Sequence, residues 1–174
     1  YVGANVLAAR WVEEEIWSYR RHFDAPAEAV RGRSWLVFDG LDLAATVVLN
    51  GEVVGKHENV FYPCRIEVTG KLKPGRNLLV VHLDSGLYSV AYRDGAGWEQ
   101  SDDQRLHKRH WLRKPQSQFA WDWSPRLINV GIFNNTAQAT VHSGATLDGL
   151  RATRVISDVS YPFLTRLDQH IPPS

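Results

Sequence analysis

The chain has 174 residues, 44% hydrophobic and 22% charged, a balance that suits one folded domain and a short piece of a second. A domain of this size buries roughly two thirds of the surface its unfolded chain exposes, enough for a true core. Lys plus Arg (20) nearly balance Asp plus Glu (19), which leaves no basic excess for nucleic acid, and the apolar runs are too short to cross a bilayer of about 30 Å.

Residues 1–15 have no clear period; Trp11-Val12-Glu13-Glu14-Glu15 predicts a helical turn. From 16 to 23 the period is two. Trp17, Tyr19, Arg21 and Phe23 share one face and Ser18, Arg20 and His22 the other, as in a half-buried strand. Residues 34–38 continue the theme. Segments 46–49 and 53–56 flank Asn50-Gly51, two residues that tolerate the positive φ of a type I′ hairpin turn. After a short run at 65–68, Lys73-Pro74-Gly75-Arg76-Asn77 turns the chain into 78–83. That segment is apolar enough for a central strand covered on both faces. Between 85 and 124 the period is lost, and so long an irregular stretch in a compact domain is usually functional. Strand periodicity returns at 126–133, 137–142 and 147–156, and residues 161–174 read as a tail. Many short strands with Gly, Asn and Pro turns predict an all-β fold, a jelly-roll β-sandwich. Residues 1–143 are expected to form it, with 144–174 a linker, a tail or the start of a following domain.

The single cysteine excludes an intrachain disulfide and is compatible with any compartment. Tyr62, Pro63 and Ile66 mark Cys64 as a small buried hydrophobe. The basic run Arg105, His107, Lys108, Arg109, His110, Arg113 and Lys114 lies beside Asp102 and Asp103 and reads as a solvated loop, not a phosphate site. His107 and His110, spaced i, i+3, have no cysteine nearby and no settled helix, so neither a metal nor another cofactor is expected. Asn134-Asn135-Thr136 is a glycosylation tripeptide of a kind common by chance. Most of the seven tryptophans are expected to anchor the core. Tryptophans beside carboxylates also suit sugars, whose C–H faces stack on rings while their hydroxyls need acceptors.

Three motifs in order carry a resemblance. Residues 35–51 contain Phe38-Asp-Gly-Leu-Asp42 and Val47-Val-Leu-Asn-Gly51, followed by Gly55-Lys-His-Glu-Asn-Val-Phe61 and Gly75-Arg-Asn-Leu-Leu79. This series is similar to the sugar-binding domain at the front of glycoside hydrolase family 2, a galactose-binding-domain-like jelly roll. The opening Tyr1-Val-Gly-Ala-Asn5, Trp11-Val12 and Trp17-Ser-Tyr19, together with Arg113-Lys-Pro-Gln-Ser-Gln-Phe-Ala-Trp-Asp-Trp-Ser-Pro-Arg126 and Gly131-Ile-Phe133, resemble its β-mannosidase branch.

The resemblance implies a larger retaining enzyme acting on a β-mannoside-type glycan. An immunoglobulin-like domain and a (β/α)8 barrel would follow this one, with both catalytic carboxylates on the barrel. About 250 residues are typical of such a barrel, so none fits here and this chain alone is expected to catalyse nothing. In that branch the Trp-Asp loop reaches the barrel mouth, which makes Trp121 an apolar wall and Asp122 a hydroxyl acceptor, with Arg113 a candidate support and Trp123 structural. The bland reading makes Trp121 and Trp123 packing residues and Asp122 a turn cap. His57 and Asn59 are expected to hold a strand-to-loop turn. Ala120 and Ser124 stand where the family has glycine, so a positive φ at either would strain the loop, and Asn134 replaces a common Arg. The competing functions are a free-standing carbohydrate-binding module, a β-galactosidase or β-glucuronidase parent, and a purely structural domain.

Overall fold

The period-two segments become antiparallel strands in a computed structural model that describes residues 5–94, 108–133, 140–141 and 145–146. A helical turn α1 (Asn5–Ala8) and a 3-10 turn (Arg10–Glu14) precede strand β1 (Trp17–Ala25), and helix α2 (Ala27–Arg31) follows it. Strands β2 (Trp35–Phe38), β3 (Gly40–Asp42), β4 (Ala44–Leu49), β5 (Glu52–His57), β6 (Cys64–Glu67) and β7 (Gly75–Asp84) come next. Two 3-10 turns (Arg109–Trp111 and Gln116–Phe119) lead to β8 (Gly131–Phe133), then the short β9 (Thr140–Val141) and β10 (Ala145–Thr146).

The main sheet has the order β1-β7-β4-β5, and β2 pairs with β6, β3 with β8 and β9 with β10. Register puts Tyr19 opposite Val81, Val81 opposite Val47 and Val47 opposite Gly55 across the sheet. One face of β4 and β7 is therefore a buried row of Ala45, Val47, Leu49, Leu79, Val81 and Leu83. Leu36 and Phe38 of β2, Leu41 of β3, and Cys64 and Ile66 of β6 pack against it in one core. Gly55 leaves room there for Ile66, whose Cδ1 would lie 2.6 Å from an added Cβ. The all-β sandwich expected from periodicity is the fold observed. Among the described residues no helix is long and apolar enough to cross a membrane.

Some expectations are corrected. Strand β7 is central, yet only one face is buried; Leu78, Val80 and His82 on the other remain partly exposed. No tryptophan among the described residues is fully buried, so Leu, Val, Ile and Phe build the core. The predicted strand over 126–133 shrinks to Gly131–Phe133 because the preceding backbone spends its hydrogen bonds on the loop beside it. Leu127 N donates to Gln118 O at 3.0 Å and Asn129 N to Gln118 Oε1 at 3.0 Å. Only Thr140–Val141 represents the segment 137–142. The segment 147–156, the tail, the boundary at 143, His107, Arg105 and the Asn134-Asn135-Thr136 tripeptide lie outside the described residues.

The irregular stretch after β7 has its own core. Leu87, Val90, Leu112, Phe119 and Ile128 pack with Leu43 into a second apolar cluster. Gly86 makes that approach feasible: its φ is 87°, and a Cβ would meet Leu43 Cδ2 at 2.5 Å. The loss of periodicity there marks a packed, turn-rich cap on the sandwich.

Candidate functional site

The segment that carries Trp121-Asp122-Trp123 leaves this second core at buried Phe119 and returns to it at buried Ile128. Its base is closed by the Leu127–Gln118 hydrogen bond. At its tip Trp121 N donates to Ser124 O (3.0 Å) and Ser124 N to Trp121 O (3.1 Å), leaving Asp122 and Trp123 as a two-residue turn. Trp121 is 49% exposed and Trp123 78%, their rings meeting edge to face with centroids 6.1 Å apart. Asp122 is exposed, and its carboxylate has no partner among the described residues. It therefore caps nothing, and its acceptor capacity stays open to a ligand hydroxyl. Trp123, expected to be structural, takes no part in this chain's core.

Ala120, just ahead of the turn, has φ 94° and ψ 144°, a region essentially reserved for glycine. Ser124, the other residue standing where glycine was expected, does not have a positive φ. The strain therefore falls on one residue, at the entrance to the turn.

Arg113 is exposed but forms no ion pair with Asp122. Its backbone instead bridges to Asn59 and accepts from Val60 N at 3.0 Å. His57 Nε2 donates to the Asn59 carbonyl at 2.5 Å, and Asn59 Oδ1 accepts from Phe61 N at 3.0 Å. His57 and Asn59 thus hold the strand-to-loop turn, as their place in the motif suggested.

Lys114 overturns the picture of a uniformly solvated basic run. It is 2% exposed, and its ammonium pairs with Asp42 Oδ1 at 2.7 Å and donates to the carbonyls of Asn129 (2.8 Å) and Ser85 (3.4 Å). Desolvation pulls its pKa below the ordinary lysine value, while Asp42, Asp84 and Glu13 act in the opposite direction. Gln118 Nε2 reaches the second Asp42 oxygen at 3.4 Å. On the returning leg of the loop Arg126 is buried in an ion pair with Glu13 of the first 3-10 turn. Sequence reasoning missed Asp42, Gln118, Arg126 and Glu13 as a set. The signal available was that Asp42, Lys114 and Arg126 occupy fixed positions in the quoted motifs.

The motif asparagines are structural. Asn77 is buried, with its amide donating to the carbonyls of Lys73 and Gly75 and its Oδ1 accepting from Lys73 N. Cys64 is buried too, and burial pushes its thiol up to about 11.

Comparison with known proteins agrees with this architecture. Beta-mannosidase B of Thermothelomyces thermophilus is 39% identical over 137 residues, which cover 75% of this chain and 16% of that protein. Beta-mannosidase B of Aspergillus flavus is 33% identical over 170 residues, covering 91% and 19%. Among solved structures, the β-D-mannosidase from Dictyoglomus thermophilum matches with a TM-score of 0.67 and 33% identity, over 77% of this chain and 17% of that one. The chain spans less than a fifth of the length of these relatives. The family model described as "Glycosyl hydrolase 2 galactose-binding domain-like" matches residues 1–134. By that match over most of its length, the chain belongs to the glycosyl hydrolase 2 galactose-binding domain-like family.

Proposed function

We propose that this chain is the sugar-binding front domain of a larger retaining glycoside hydrolase that removes terminal β-D-mannose residues. In this reading the Trp121–Ser124 turn completes a pocket whose catalytic carboxylates lie on a following barrel. Trp121 supplies an apolar wall, Asp122 accepts hydroxyl hydrogen bonds, and Arg113 lies exposed on the leg leading into the loop. The supporting observation is the Asp122 carboxylate, exposed at the tip of a doubly hydrogen-bonded turn with no partner among the described residues. A hydrogen bond to an ionised acceptor is roughly twice as strong as a neutral one, and a substrate lacking the hydroxyl would leave the carboxylate unpaired. The choice of a mannoside over other sugars rests on the likeness to the beta-mannosidases named above.

In the full-length enzyme, Asp122→Ala lowers kcat/KM for an aryl β-mannoside at least about tenfold, equivalent to about 1.4 kcal/mol of transition-state binding. Unchanged kinetics would reject the substrate-facing turn. The 174-residue chain alone turns over no aryl β-mannoside, and clear hydrolysis by it would place the chemistry here instead.

A further inference from the structure

Among the described residues, the irregular cap holds a buried polar centre around Lys114. Lys114 sits on the leg entering the loop. Its ammonium contacts the Asp42 carboxylate at the end of β3, the Ser85 carbonyl just beyond β7, and the Asn129 carbonyl on the returning leg. Gln118 joins the same group from inside the loop, donating to Asp42 and accepting from Asn129 N. Through Lys114 and Gln118, both legs of the loop are tied to one carboxylate of the sandwich.

We propose that Lys114, through Asp42 and Gln118, is the positioning residue that fixes the Trp121–Ser124 turn relative to the sandwich. Apolar packing alone would serve poorly here, because Phe119 and Ile128 fill space without setting the rotation of the loop that leaves between them. An ammonium that pairs with a carboxylate on one segment and donates to backbone carbonyls on two others defines an orientation. Removing water from a lysine and a carboxylate is costly, and such a pair is often replaceable by apolar residues without loss of stability. Its value then lies in geometry. The consequence for sugar recognition rests on the proposed function; the positioning itself does not.

The test uses the 174-residue chain and separates local order from global stability. Lys114→Met leaves Asp42 buried and uncompensated, so it destabilises the whole fold and decides nothing by itself. The paired variant Lys114→Met/Asp42→Leu removes both charges together. Expected is a melting temperature within a few degrees of the wild type, protection of core amides such as Val47 and Val81 unchanged, and amide exchange at Trp121 and Ser124 faster by about tenfold or more. Gln118→Met gives a smaller increase at the same two amides. Wild-type exchange at Trp121 and Ser124 in the paired variant overturns the proposal. Loss of the fold in the paired variant overturns it equally, because the pair would then serve global stability. A null result for Asp122→Ala in the full-length enzyme would strike the sugar reading while leaving this exchange pattern in place.

Discussion

Asn50 and Asn77 join two turns of the sandwich through their side chains, Asn50 Nδ2 donating to Asn77 Oδ1 at 2.9 Å. Asn50 holds the positive φ of the β4–β5 hairpin, and its Oδ1 accepts from Leu78 N at 3.0 Å. Asn77 closes the turn that starts β7, so one amide pair links the hairpin to the central strand. Asn77→Ala leaves Lys73 N and the Asn50 amide without their shared acceptor. A loss of about 2 kcal/mol is expected, seen as a lower midpoint in urea unfolding at unchanged slope. A change below about 0.5 kcal/mol would show that water replaces the amide without penalty.

Ala120→Gly relieves the φ of 94° at the loop entrance. Glycine gains freedom in the unfolded chain, which offsets part of the relief, so a net stabilisation of about 1 kcal/mol is expected. Ser124→Gly, where φ is not positive, gives none. Thermal melts of the two variants side by side check the contrast, and an equal response at both positions would contradict the loop geometry.

Asp84 has its pKa raised, chiefly by desolvation and also by nearby Glu58, against the lowering effects of the Gly86 N–H and Lys114. The folded state therefore holds this proton more tightly than the unfolded state, whose value is near 3.8. The resulting stabilisation is complete below that pH and is lost as pH rises through the folded pKa. Asp84→Asn keeps an acceptor for Gly86 N–H, which the carboxylate now binds at 2.6 Å. The melting temperature of the variant relative to wild type should rise between pH 3.5 and pH 7; a relative fall over that interval would reverse the assigned sign.

Cys64, with its thiol pushed up to about 11, carries a thiolate fraction on the order of one in a thousand at pH 8 and lies buried at the start of β6, paired with Phe38 of β2. The folded chain should resist an aromatic disulfide reagent at that pH and react fully in denaturant. Prompt labelling of folded protein would mean that the strand pair opens readily.

Strand identity was legible from local order. Side-chain alternation marked β1 as a strand, and Asn50-Gly51 names its own turn because few residues accept positive φ; that β7 buries one face and not both was decided by the sheet around it. The same holds for Cys64 among its apolar neighbours and for His57 and Asn59 at the end of β5. The candidate turn was visible as Trp121-Asp122-Trp123, a chemistry-bearing cluster in a segment without period. Its exposure and its double hydrogen bond were not, since neither follows from spacing.

Lys114 marks where reading along the chain stops. In sequence it is one more cation in a basic run with acidic neighbours, and such runs are usually solvated. Burial of a lysine becomes tolerable only when a carboxylate and enough carbonyls converge on it, and Asp42, Ser85 and Asn129 meet at that point because β3, the end of β7 and the returning leg share one end of the sandwich. Arg126 and Glu13, too, are paired only because the fold brings distant segments together. Periodicity and turn chemistry are properties of neighbours in sequence, so the amino-acid order settled the hairpin, most strands of the sandwich and the fold class. Charge burial depends on which distant segments the fold brings together, so the bracing of the Trp121–Ser124 turn was decided only in three dimensions.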